Sequence, residues 1–184
     1  MFPWGHAAVA YLLYSGHQRW SRRDLTAVTA VTVLVASQLP DLIDKPLAWH
    51  LAVLPSGRSL AHSLLTGSLI LGALVAVLLA LEARRLVAPL AIGVVSHSLA
   101  DALRATLAVN PADLTFLAWP VLQSPAYDGP KSVLGHFASI DPLAPFVLFQ
   151  FVLVALALVV WNRDGRPGLA PIRIRARSLL NTRG

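Results

Sequence analysis

No cysteine occurs in the 184-residue chain, which excludes disulfides, iron-sulfur clusters, thiolate nucleophiles and thiolate zinc sites in one step. Charge is scarce too. Only 13% of residues are Asp, Glu, Lys or Arg, about half the ~25% of soluble domains. Against that, 56% are hydrophobic and the mean hydropathy is +0.64, a balance that points to lipid as the solvent. Met1 to Gly5 lacks the basic stretch that precedes a cleaved secretory signal, so the first helix is expected to stay. The length suits one domain. A formal charge of +6 would raise the question of nucleic acid in a soluble protein. Here the placement of the charges matters more than their sum, and no nucleic-acid partner is expected.

What is present is a set of apolar runs: Leu25 to Leu39, Leu64 to Leu81, Leu86 to Leu103, Pro145 to Trp161, and a shorter one from Gly5 to Gly16. A helix crossing ~30 Å of hydrocarbon needs about 20 residues. The first two in chain order fall short and must be accommodated by packing or local thinning of the bilayer. The pattern predicts an all-α integral membrane bundle of about five short spans. Gly67, Gly72 and Gly93 lie within these runs, where small residues let helix backbones approach closely. The connection from Arg104 to Ala144 is too long for a plain turn, and such loops carry function or structure of their own. It is read as a long outer loop of short helices broken by turns near Trp119-Pro120 and Pro125 to Pro130, able to serve as a lid. Residues 1–162 form the expected membrane domain and residues 163–184 a basic cytoplasmic tail.

Short loops rich in Lys and Arg are retained on the cytoplasmic side. Placing 16–24, 82–85 and 162–184 together puts eleven of the fifteen cations there, among them Arg19, Arg22, Arg23, Arg84, Arg85, Arg163 and Arg166. Lys45, Arg58, Arg104 and Lys131 fall on the other side. The carboxylates show the opposite bias, with Asp41, Asp44, Asp101, Asp113, Asp128 and Asp141 outside. The expected topology is multi-pass in the cell membrane, amino terminus out and carboxyl terminus in. The stretch Arg173-Ile174-Arg175-Ala176-Arg177 fits contact with anionic lipid, at roughly 1 kcal/mol per cation. It fits equally a disordered tail that only sets topology.

That topology sorts the histidines. His17 falls inside; His6, His50, His62, His97 and His136 fall outside. Ionisable groups near hydrocarbon are costly and are rare unless they pair, line water or bind something. His97 and Asp101 are spaced i and i+4 and stack on one helix face. Asp41 and Asp44 follow Pro40 three residues apart and share a face if the chain turns helically there. His62 closes the segment Gly57-Arg58-Ser59-Leu60-Ala61-His62-Ser63, and His6 opens the first helix. Each has a bland alternative: a hydrogen-bonded helix-end pair for His97 and Asp101, a solvated turn for Asp41 and Asp44, an interfacial anchor for Arg58. Together they offer imidazoles and carboxylates without thiolate, which suits zinc, manganese or iron, in number enough for one or two ions.

At these residues the chain resembles the YdjM-type family of membrane-bound metal-dependent hydrolases. The likeness lies in Leu39-Pro40-Asp41 with Asp44, Arg58 with His62-Ser63, Ser96-His97 with Asp101, and an early His6, over roughly Gly5 to Pro120. That family looks distantly similar to zinc-dependent phospholipases C and S1-type nucleases. The resemblance implies divalent metal, zinc first, bound by His6, Asp41, Asp44, His62, His97 and Asp101. It implies catalytic roles for Asp41, Asp101 and Arg58, and a phosphoester substrate such as a membrane lipid headgroup. Two departures stand out. The family's Asp-x-Asp is here Asp41-x-x-Asp44, and its His-Arg-Gly is here Gly57-Arg58-Ser59. The first departure puts Asp44 in doubt as a ligand, and one ion in place of two becomes an alternative; His50 or His136 could substitute. An ion-binding small transporter and a structural protein tied by metal remain open beside the hydrolase, and the oligomeric state is undetermined.

Overall fold

The computed structural model describes residues 1–107, 110–124 and 131–169, with the side chains of Arg104, Val133 and His136 excepted. The arginine-rich tail from residue 170 onward, Asp128 and the Pro125 to Pro130 turns lie outside the described residues. Within them the chain is helical and carries no strand: α1 Pro3–Trp20, α2 Ala27–Ala36, α3 Leu39–Trp49, α4 Leu64–Ala80, α5 Val87–Leu107, α6 Val133–Ala138 and α7 Pro145–Arg163, with 3-10 turns at Arg84–Leu86 and Pro111–Ala118.

Local chemistry sets the boundaries. Thr26 caps α2 through its hydroxyl, which accepts from the Thr29 amide, while the Thr26 amide donates to the Thr29 hydroxyl, a reciprocal cap. The Ser63 hydroxyl accepts from the Leu65 amide at the start of α4. Proline opens α1, α3 and α7, where its missing N–H costs nothing. Between α2 and α3, Ser37 and Gln38 interrupt the helix, but the path continues, so Ala27–Trp49 makes one 23-residue candidate span.

Among the described residues, three stretches are long and apolar enough to cross a membrane: Ala27–Trp49, Arg84–Leu107 and Pro145–Arg163. The other two of the five expected spans differ. α4 is apolar throughout but stops at 17 residues, and α1 has 18 residues that include His6, His17, Gln18 and Arg19. Their shortfall is one of length and polarity, so length and composition alone do not qualify them.

Close backbone approach is concentrated where α2 meets α5. A Cβ on Gly93 would lie 2.5 Å from the Ala36 Cβ and 2.8 Å from the Val33 carbonyl oxygen. Gly67 likewise meets the Ala61 carbonyl. Gly72 does not share this role: nothing lies within 4 Å of a Cβ built there, because its face of α4 points away from the bundle. Apolar cores of Ala8, Tyr11, Ala30 and Ala157, and of Ala10, Tyr14 and Val33, join α1 to α2 and α7. The exterior is apolar as well. Leu69 on α4 and Val152 on α7 are 74% and 65% exposed, whereas His6, Asp41, Asp44, His62, His97 and Asp101 are buried. Apolar surface outside with ionisable groups inside is the arrangement lipid selects.

Candidate metal centre

The buried ionisable groups meet at one end of the bundle. α1 brings His6, α3 brings Asp41 and Asp44, the segment before α4 brings His62, and α5 brings His97 and Asp101. Among the described residues, two overlapping sets are close enough together to hold a metal ion, His6 with Asp41 and His97, and His62 with His97 and Asp101, each set offering ligand atoms within 4.8 Å of one another.

The imidazoles are held from behind. The Nδ1 of His97 donates to the Ser37 carbonyl at 2.6 Å, and the Nδ1 of His62 donates to Asp44 Oδ2 at 2.8 Å. A carbonyl and a carboxylate only accept, so both protons are on Nδ1. The two Nε2 atoms then face each other at 3.0 Å. Neutral rings in this pose set lone pair against lone pair, which requires a cation between them: a proton, or a metal ion. Burial disfavours the His62 imidazolium, but the Asp41 and Asp44 carboxylates outweigh it and raise the pKa above the ordinary histidine value.

Asp41 completes the face. Its Oδ1 lies 3.4 Å from His62 Nε2 and 3.7 Å from His97 Nε2. Ligands about 2.0–2.1 Å from a tetrahedral zinc stand roughly 3.3–3.4 Å apart. The triangle of 3.0, 3.4 and 3.7 Å brackets that value, so these three residues fit a metal ion. The other Asp41 oxygen accepts from Lys45 Nζ at 2.6 Å, which turns Oδ1 toward the imidazoles.

Asp101 lies at the edge of this face, its Oδ2 3.9 Å from His62 Nε2. It also meets Arg58 Nε at 2.8 Å, His6 Nε2 at 3.3 Å and the Met1 amino group. His6 stacks on His97 with ring centroids 3.7 Å apart. Neither of its ring nitrogens has a hydrogen-bond partner among the described residues, although both are buried. Its Nε2 has only the Asp101 contact at 3.3 Å, so the ring is held chiefly by its stack on His97.

Asp44 points elsewhere. Its oxygens accept from the amides of Ser59, Ala61 and His62 as well as from the His62 ring, and it belongs to neither metal-capable set. His50 follows the end of α3 and is exposed, away from the cluster; the side chain of His136 lies outside the described residues. The described part of the connection between α5 and α7 packs against the site. Phe116 is buried edge-on to His62 at 6.3 Å, the Ser63 hydroxyl donates to the Trp119 carbonyl, and the Ser124 hydroxyl to the Arg58 carbonyl. Two partners went unforeseen. Lys45 was discoverable from its i,i+4 spacing with Asp41. The Ser37 carbonyl, a backbone group, has no residue-type signal.

In comparison with known proteins, the model of a family described as the YdjM inner membrane protein matches residues 1–167. No curated protein and no solved structure matches the chain.

Proposed function

The chain belongs to the YdjM inner membrane protein family, and from that premise we propose that it is a metal-dependent hydrolase of phosphoester bonds. It acts at the outer membrane interface, where lipid headgroups lie. The observation that carries the reading is the triangle of His62, His97 and Asp41. Imidazole and carboxylate without thiolate suit zinc first, then manganese or iron. A divalent ion supplies Lewis acidity, which activates water and polarises a phosphoryl oxygen. One ion is the expected load, because both metal-capable sets need His97 and its Nδ1 is already spent on Ser37.

The protein's own residues do the rest. His62, His97 and Asp41 bind the ion, and Lys45 keeps one Asp41 oxygen aimed at it. Asp101 and His6 stand beside that face and take part in binding or proton handling. Arg58 is anchored through Nε to Asp101 while its side chain is 38% exposed, so the guanidinium is steadied and still open to an anionic phosphate. Transport is less well supported. α4 has no ionisable residue, and the metal-capable groups gather at one end rather than continuing through the bundle.

Metal analysis of detergent-purified protein, wild type against His97→Ala, tests the reading beside turnover of bis(4-nitrophenyl) phosphate and phospholipid vesicles. The expected result is about one ion per chain, lost in the variant together with turnover. Equal and negligible zinc, manganese and iron in both removes the proposal. Stoichiometric metal without turnover of either substrate leaves an ion that ties helix ends and ends the hydrolase reading.

A further inference from the structure

We propose that Asp44 is a positioning residue and not a metal ligand: it acts through His62, fixing which ring nitrogen faces the centre. This rests on the metal reading of the site, but its geometry stands apart from whether the protein hydrolyses anything.

Asp44 is fully buried, at 0% exposure. A carboxylate offers about four lone-pair sites, and here four donors converge on it. Oδ1 accepts from the Ala61 amide at 2.9 Å. Oδ2 accepts from Ser59 N at 2.9 Å, Ala61 N at 3.1 Å, His62 N at 3.3 Å and His62 Nδ1 at 2.8 Å. A charge withdrawn from water is costly unless its lone pairs are met, and the segment from Ser59 to His62 is folded around this one to meet them. Drawing Asp44 onto an ion would give up these bonds and the fold of the segment that makes them.

The spacing in α3 explains the division of labour. Asp41 and Asp44 sit i and i+3 on one helix face, so both look toward the segment that carries His62. Asp41, nearer the α2–α3 break, reaches the imidazole nitrogens. Asp44, nearly a turn further on, reaches the backbone behind them. The main chain and the ring of His62 are thereby referenced to one anion. Rotation of the ring would forfeit the Nδ1–H bond, so Nε2 is delivered to the centre. A carboxylate behind an imidazole also makes it a stronger donor. His97 has only the neutral Ser37 carbonyl in that position. The two histidines are therefore unequal ligands, His62 the stronger.

The test compares Asp44→Asn with Ser63→Ala. The second removes the hydroxyl's cap on the Leu65 amide and its bonds to the Leu117 and Trp119 carbonyls and loosens the same segment without removing a bond to the His62 ring. In chelated protein labelled with nitrogen-15 in histidine, wild-type His62 should show a proton on Nδ1, shifted strongly downfield by its carboxylate partner. That signal should move upfield and exchange faster in Asp44→Asn but not in Ser63→Ala. Cobalt or zinc affinity should fall about 10–100-fold in Asp44→Asn and less than about threefold in Ser63→Ala. An unprotonated Nδ1 in wild-type His62 overturns the proposal, and needs no variant. Equal affinity losses in the two variants, or none in Asp44→Asn, overturn it as well. The expected Nδ1 signal in a wild-type protein that holds no metal would end the metal reading and leave the positioning role standing.

Discussion

Two polar clusters sit in this apolar bundle, and they are built on opposite principles. At the end away from the candidate metal centre, Asp164 takes a hydrogen bond from the Tyr11 hydroxyl at 2.9 Å, another from the Ser15 hydroxyl at 2.7 Å, and a third from the Arg19 guanidinium at 2.7 Å. Three donors meet one carboxylate. At the site end, imidazole nitrogens and a carboxylate oxygen are turned toward one another, and His6 has no hydrogen-bond partner among the described residues. A polar cluster that serves only to join helices closes its own account. One whose acceptors converge is arranged for something that arrives from outside.

The contrast can be broken most severely at Gly93, the contact through which α5 reaches α2. Gly93→Leu should destabilise the protein by about 3 kcal/mol, at the upper end of overpacking costs. It should disturb the centre too, because the displaced neighbour includes Ser37. Loss of both thermal stability and bound metal is expected, read by melting and metal analysis; retained metal would show that the centre does not depend on the α2–α5 contact. Chelation comes next. An ion at about 100 times its Kd stabilises by about 2.7 kcal/mol, so adding chelator should lower the wild-type melting temperature by roughly 5–10 °C. His97→Ala should not respond.

Asp164→Ala should cost about 2 kcal/mol, the size of charge-assisted hydrogen bonds lost with their donors left behind, and bound metal should not change. A fall in metal content there would erase the distinction between the two clusters. The smallest effect is one of pH. Burial pushes the Asp164 carboxyl up, but the hydrogen bonds from Arg19, Ser15 and Tyr11 prevail and lower its pKa. A carboxyl lowered by folding adds stability above its unfolded pKa and loses it as pH falls through the folded value. The melting-temperature gap between wild type and Asp164→Asn, measured in chelated protein, should thus be constant from about pH 8 to 5 and narrow below about pH 4. A gap that widened in acid would reverse the assignment.

The gathering of His6, Asp41, His62, His97 and Asp101 was legible because membrane topology is a strong constraint. Once charge bias orders the loops, residues at alternate helix ends must share a depth. Depth, however, is not direction. The sequence could not show that Asp41 and Asp44, on one face of α3, address different atoms, since that depends on where the 59–62 backbone passes. Nor could it show that Gly72 faces away from the bundle while Gly67 and Gly93 make contacts, because all three lie in equally apolar runs. The all-helical class was legible from the long apolar runs. The number of spans was not, because α1 and α4 sit at the limits of polarity and length.

Pro40 has no N–H for the Ala36 carbonyl four residues back and its ring crowds that carbonyl, so the helix breaks at Ser37 and Gln38, where a continuous helix would have tied the Ser37 carbonyl oxygen to the Asp41 amide. The interruption leaves that oxygen to His97, sixty residues away in the chain. A flaw in one helix thus sets the aim of a ring on another, and a Pro40→Ala chain that healed the flaw would keep every histidine and carboxylate yet leave one imidazole unsteered.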